Sequence, residues 1–373
     1  MADSALGRLR ILDFSRVLAG PLATMTLADL GAEVTKVERP ETGDDTRSWG
    51  PPHDAAGEAT YFQAVNRNKR SIVLDLGDPG DLAEAKRLAL ESDVIVENFR
   101  PGVMAKLGLD YETLTAQNPR LVYCSITGFG GTGAGAELPG YDLLVQALGG
   151  LMSVTGEPEG EPLKVGVALV DVIAGLHAAV GILAALEHRR ESGEGQLVEV
   201  DLLSALLAGL VNQSSAYTVA GVVPGRMGNR HPSIAPYELL HCGEGELVLA
   251  VGNDRQFREL CEALGEQALA DDERFATNPA RVENRAELQL LLERALAARP
   301  AAEWVDLLRA RRVPAGVVND VAAAFEFAER IGLDPIVEVP REDGEPVRLP
   351  RNPIMLSRTP ASYRSAPPRL PES

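Results

Sequence analysis

An isolated carboxylate inside an apolar run is the strongest chemical signal in this sequence. Between Val165 and Leu186 (VGVALVDVIAGLHAAVGILAAL), Asp171 stands among almost wholly apolar residues. An ionised carboxylate loses much hydration in such surroundings, so it must be paired, capped by backbone N–H groups or kept for reaction. The segment reads as a strand, KVGVAL, that delivers Asp171 to the N-cap of a buried helix. That helix, VIAGLHAAVGILAALEHRR, has arginines in its last turn and a GEG turn behind it. At an N-cap, the helix terminus favours the charged form of Asp171. Simple capping is the competing account of this residue. A membrane span is disfavoured, because Asp171, His177 and several glycines interrupt the run and no second run of this kind occurs. His177, about one and a half turns further on, reads as a hydrogen-bonded core histidine rather than a base.

Other familiar motifs fail on context. The run GFGGTG, Gly128 to Gly133, matches G-x-G-x-x-G and follows a strand signal, yet its glycines do not open a helix and Pro139 follows closely. The first βαβ unit, where a dinucleotide fold places its glycines, reads SRVLAGP instead. G-x-S-x-G, H-E-x-x-H and paired C-x-x-C are absent, which removes the simplest serine-hydrolase and zinc readings.

The elements that must position Asp171 are those of an open α/β sheet. Strand signals at RILDF (from Arg10), EVTKV (from Glu33), SIVLDL (from Ser71), DVIVENF (from Asp93) and LVYCSI (from Leu121) alternate with helix signals at Pro21 to Leu30, Asp81 to Leu90 and near Met104. A Pro/Gly-rich passage from Val222 to Pro236 reads as a linker. Beyond it, ELVLAVG and helices near 254–264, 286–298 and 301–311 suggest a second, smaller α/β domain. The division expected is 1–222 for a large Rossmann-like domain, 223–330 for the small domain, and 331–373 for a C-terminal segment returning to the large one. A chain of 373 residues with 45% hydrophobic content can bury cores of this kind. Its net charge of −18 opposes a general role on nucleic acid or an anionic membrane. Three scattered cysteines, Cys124, Cys242 and Cys261, and an N-terminus without an apolar leader point to a reduced, cytoplasmic setting.

Several blocks, in order, resemble the class III (CaiB/BaiF) coenzyme A transferases. They include LDFSRVLAGP (12–21), GAEVTKVERPETGDDTRSW (31–49), NRNKRSIVLDL (66–76), DVIVENFRPGVMAKLGLDY (93–111), GYD (140–142), GEGQLVEVDL (193–202) and RMGNRHPSIAPYELL (226–240). The resemblance implies an interlocked homodimer of two-domain α/β chains, with acyl-CoA and a small carboxylate as substrates and no tightly bound cofactor, metal, nucleic acid or membrane partner. It implies that Asp171 is the nucleophile. A carboxylate attacks the thioester to give a mixed anhydride, released CoA thiolate then gives an aspartyl-CoA thioester, and an incoming carboxylate reverses these steps.

Position by position, the resemblance places Val17, Ala19, Arg39, Leu74, Asn98, Phe99 and Lys106 against CoA. Tyr141 falls at a hydrogen-bonding position near the acyl group, Trp49 near the substrate carboxylate, and His231 in a loop, GNRH, that would cover the site. Arg47 is a further candidate to pair with that carboxylate. The activity implied is CoA transfer, with succinyl-CoA as the suggested donor. The alternatives are an α-methylacyl-CoA racemase and an inactive CoA-binding subunit. The racemase branch carries a His where this chain has Tyr141, and its second acid falls near Asp254.

Overall fold

The computed structural model describes residues 4–341 and 344–371. Its central sheet has six parallel strands: β1 (Arg10–Asp13), β2 (Glu33–Glu38), β3 (Lys69–Val73), β4 (Val94–Glu97), β5 (Val122–Thr127) and β6 (Leu197–Asp201), in the order β3-β2-β1-β4-β5-β6. Parallel strands are covered on both faces, so they read as continuous apolar runs. In β1 and β4 nearly every side chain is indeed buried. The reversal of strand order between β1 and β4 opens a crevice at the carboxyl ends of the strands, where open α/β sheets hold their ligands.

The chain divides into two compact units, 1–151 with 164–222 and 334–373, and 152–163 with 223–333. Residues 152–163, expected in the first domain, cluster instead with the second unit. That unit holds an antiparallel sheet of β7 (Tyr237–His241), β8 (Glu246–Ala250) and β9 (Ala315–Gly316), with helices Asp254–Leu264, Arg285–Leu296 and Ala301–Ala310 on a core that includes Leu249, Phe257, Leu292 and Trp304. Strand β7 escapes the sequence reading because PYELL directly follows the irregular stretch read as a linker.

In the first unit the helix Ala19–Asp29 packs along the long helix Leu169–Ser192. Gly175 permits this: a Cβ there would lie 2.5 Å from the carbonyl oxygen of Ala19. The long helix is long and apolar enough to cross a membrane by length and composition. One face of it, Val170, Ala174, Ala178, Ile182 and Ala185, is nevertheless packed into the sheet domain's core. It ends at Gly193, whose φ of +81° suits a left-handed cap.

Two local expectations are corrected. Lys164–Ala168 is not a strand: the place beside β5 belongs to β6, and the Val165 N–H donates to the Gln146 side chain at 2.9 Å. The helix starts at Leu169 with Ala168 as its N-cap, so Asp171 is the third helical residue and not the cap.

The C-terminal stretch also carries a hairpin, β10 (Ile336–Val339) with β11 (Val347–Pro350). Beyond the hairpin, the chain is tied to the first unit by Asp29, which is fully buried. Its carboxylate accepts from Arg67 Nη2 at 2.6 Å, Asn68 Nδ2 at 2.8 Å and Asn352 Nδ2 at 3.0 Å. Arg364 donates to the carbonyls of Ala28 and Ala32, answering carbonyls at the buried C-terminal end of the helix Ala19–Asp29.

Candidate active site

The crevice at the carboxyl ends of β1, β4 and β5 contains a cleft of about 300 Å³. Asp171, Tyr141, Asp142, Val17, Ala19 and Asn98 are among the residues that line it. Asp142, which belongs to the GYD block, supplies the cap that Asp171 was expected to be. Its Oδ1 accepts the N–H of Val170 at 2.8 Å and, more weakly, that of Asp171 at 3.4 Å. Its Oδ2 accepts from Gln146 Nε2 at 2.6 Å. A carboxylate 29 residues upstream therefore closes the helix N-terminus and fixes the first turn, from which Asp171 faces the cleft.

Glycines make this approach possible. A Cβ on Gly140 would sit 2.5 Å from the Cα of Gly128, so the GYD segment lies directly on the turn after β5. The glycines that resembled a dinucleotide motif thus include one that serves backbone contact.

Burial pushes the Asp171 carboxyl up to about 7, and the neighbouring Asp142 charge adds to the shift. The favourable field expected of the helix terminus does not prevail, since Asp142 has already engaged that terminus. A carboxylate in this position is less solvated and more basic than an exposed one, both of which favour attack on a carbonyl.

The turn after β1 forms the opposite wall. Val17 has φ +69°, a strained value for a β-branched residue. Its N–H points at both oxygens of Asp44, at 3.3 Å each. Asp44 is buried against Lys36 Nζ at 2.8 Å, and Lys36 also donates to the Ser15 carbonyl at 2.7 Å. Ala19 opens the helix beyond this turn.

A second cleft, about 270 Å³, is lined by Arg39, Leu74, Phe99, Phe14, Val37 and Arg16 among others. Arg39 donates to the Gly43 carbonyl and pairs with Asp45. Asn98 is a clamp as well as a wall residue: its Oδ1 accepts the Arg16 N–H and its Nδ2 donates to the Arg16 carbonyl, both at 2.8 Å.

The remaining candidates stand elsewhere. Lys106 is exposed on the helix Val103–Leu107 and lines neither cleft. Arg47 is not available to a substrate: Glu38 takes its Nε and Nη2 at 2.7 Å each, the Pro368 carbonyl also accepts from Nη2, and the guanidinium lies over Phe62. Glu38 is a buried acid that needs this cation, which is why Arg47 is structural. Trp49 packs edge-on against Tyr61 with ring centroids 5.4 Å apart. The pKa of the Tyr61 hydroxyl is raised by burial and then by the charges of Asp171 and Asp142. Unlike these, Tyr141 lines the Asp171 cleft; it is exposed and is the N-cap of the helix Asp142–Leu148.

His231 belongs to the second unit, where its Nδ1 accepts the Ser233 N–H at 3.1 Å and its ring lies 5.2 Å from that of Tyr237. His177 is exposed rather than in the core, with Nδ1 at 2.9 Å from the Ile173 carbonyl. Two residues escape the sequence reading, Asp142 and Arg16. The first is visible as a second acid in the GYD block. The second sits in SRVLAGP, the turn directly after β1.

A parallel sheet in this order, with a half-buried carboxylate of raised pKa in the crevice, is an α/β architecture that presents a candidate catalytic acid or nucleophile. Residues 6–373 match CoA-transferase family III, and the chain belongs to that family. It is 46% identical over 372 residues to the succinate–glutarate CoA-transferase of Agrobacterium fabrum, covering 98% of this chain and 93% of the relative. It is 41% identical to the acetyl-CoA:oxalate CoA-transferase of Acetobacter aceti, covering 94% and 88%. The crystal structure of a CaiB/BaiF family protein from Brucella suis superposes with a TM-score of 0.87 at 44% identity, covering 99% of this chain and 97% of that one. The protein is a CoA-transferase.

The raised Asp171 pKa ties stability to pH. An acid whose folded pKa exceeds its unfolded value stabilises the fold when protonated. That contribution is complete below pH about 4 and is lost as pH rises through about 7. Asp171→Asn should therefore melt a few degrees above wild type at about pH 8, with the gap closing towards about pH 5. Thermal melts of the two proteins across this range check it; a constant gap contradicts the raised pKa.

Proposed function

We propose that this enzyme moves CoA from succinyl-CoA to a small dicarboxylate, with Asp171 as the nucleophile. The observation that carries the reading is the placement of Asp171. It stands at the mouth of a long apolar helix, charged with difficulty, in a cleft continuous through Arg16 and Phe99 with a second, largely apolar one. In this reading adenine takes the cleft of Arg39 and Leu74, and the pantetheine arm leads the thioester to Asp171. The carboxylate attacks the thioester carbon and expels CoA thiolate; the thiolate attacks the anhydride and releases succinate, leaving an aspartyl-CoA thioester. The acceptor carboxylate then attacks this thioester, and thiolate returns to give the new acyl-CoA and free Asp171. Water would hydrolyse both intermediates, so a half-buried, apolar surround suits them. The donor and acceptor classes are supported by relatives named for succinyl-CoA with glutarate and with mesaconate.

The racemase alternative needs two bases flanking the α-carbon. Tyr141 stands at one of the positions concerned, where the racemase branch carries a His. Asp254, considered for the other, is paired with the buried Arg281 at 2.8 Å. An inactive subunit would have no reason to retain a capped, basic carboxylate in the cleft.

The reading includes a cytoplasmic homodimer. On the long helix Leu176, Val180 and Leu183 are exposed, as are Leu207, Val211, Tyr217 and Val219 nearby in sequence. So much apolar surface on one chain calls for a partner, and a second copy is the one the family resemblance supplies.

Two experiments test the reading. Incubation with succinyl-CoA and trapping with hydroxylamine should modify the peptide containing Asp171, and Asp171→Ala should lose transferase activity by several orders of magnitude. An active Ala variant, or rapid deuterium uptake at the α-carbon of a 2-methylacyl-CoA in D₂O, would overturn the assignment. Sedimentation at low concentration should show a dimer and no folded monomer; a stable monomer would contradict the dimer.

A further inference from the structure

Unlike Arg100, which lines the same cleft but is exposed to solvent, Arg16 is a partly buried, unanswered cation of the site. Its neighbours are engaged: Arg39 with Asp45, Arg47 with Glu38 and Lys36 with Asp44. Among the described residues, the Arg16 guanidinium has no hydrogen-bond or ion-pair partner. It lies with Cζ 4.9 Å from the centroid of Phe99, a cation–π contact that holds its plane without using its donors. Its backbone cannot drift, because Asn98 grips both its N–H and its carbonyl. Burial lowers its pKa and the nearby Arg39 lowers it further, while Asp45, Asp44 and Glu38 oppose the shift without outweighing it.

The position is specific. Arg16 and Phe99 line both clefts, so the guanidinium stands where the cleft of Arg39 and Leu74 meets the cleft of Asp171. A ligand that threads both clefts must carry its charge at this junction if it is to satisfy Arg16.

We propose that Arg16 binds the pyrophosphate of CoA, with the adenosine in the smaller cleft and the pantetheine arm leading to Asp171. This rests on the CoA-transfer reading above and deepens it. The pyrophosphate is the one anionic group between the two ends of the molecule that the clefts accommodate. A planar guanidinium with free donors is suited to bind it in a fork, which a lysine cannot reproduce. The 3′-phosphate, on the adenosine side, falls to other groups.

The test is a ligand series measured by calorimetry, with competitive displacement for the weakest ligand: CoA, 3′-dephospho-CoA and pantetheine against wild type, Arg16→Gln and Arg16→Lys. The Gln variant should bind CoA and 3′-dephospho-CoA about 10- to 100-fold more weakly, with pantetheine unchanged. The Lys variant should fall between, and it supplies the same comparison if the Gln variant does not fold. In kinetics the KM for the acyl-CoA rises while that for the carboxylate acceptor and kcat stay close to wild type. An equal loss with pantetheine overturns the proposal, as does a loss confined to CoA, which would assign Arg16 to the 3′-phosphate. Failure of wild type to bind CoA would count against the transfer reading itself and not against the placement of Arg16.

Discussion

The structure depends on one interaction, the carboxylate of Asp142 on the N-terminus of the long helix. It ends the helix where Asp171 can face the crevice, and it leaves a second negative charge beside the first. Two effects then oppose each other. A helix N-terminus would stabilise the Asp171 anion, whereas burial and the Asp142 charge destabilise it, and the second pair wins. The outcome is a carboxylate that is ionised in a useful fraction near neutrality and is held in a weakly solvating place. Beyond that turn the helix is anchored by one face, where small residues pack on the helix Ala19–Asp29.

The facing wall is rigid for a different reason. Asp13, Lys36, Asp44 and Lys69 are all fully or almost fully buried and answer one another across β1, β2 and β3. Burial drives the Lys69 ammonium down to about 8, with Asp13 opposing it. Burial alone would raise Asp13, but Lys69 and Lys36 outweigh it, so that its pKa is lowered. Such groups are costly to separate, since removing one leaves an unpaired buried charge. They hold the turn Ser15–Leu18, including the strained Val17, against the crevice. An apolar turn could not keep a β-branched residue at positive φ without comparable restraint.

Much of this was legible in the sequence where periodicity and chemistry agree. The helix Asp254–Leu264 and the strands β1, β2, β4 and β5 are continuous apolar or amphipathic runs with clear stops, and their sequence signals lie within a few residues of the observed bounds. The site's leading residue was legible because Asp171 contradicts its apolar surroundings. Where the sequence misleads, long-range contacts are the cause. KVGVAL has the composition of a strand, yet β6 holds the only place beside β5 that the described sheet offers. Asp142 caps the long helix at the N–H of Val170, 28 residues downstream, a pairing that no local rule detects. Arg47 and Arg16 are both arginines near candidate acids and aromatics. Only the fold shows that Glu38 claims the first, while among the described residues the second has no ion-pair partner and lies over Phe99.

The central claim is that Asp171 is a basic carboxylate because burial and Asp142 make it so. Its most direct test is a titration of ¹³C-labelled aspartate carboxyls by NMR, with the Asp171 signal assigned by its loss in Asp171→Asn. The account predicts a midpoint near 7 in wild type and a lower midpoint in Asp142→Asn. A wild-type midpoint near the ordinary aspartate value of about 4, or one that Asp142→Asn leaves in place, would contradict it.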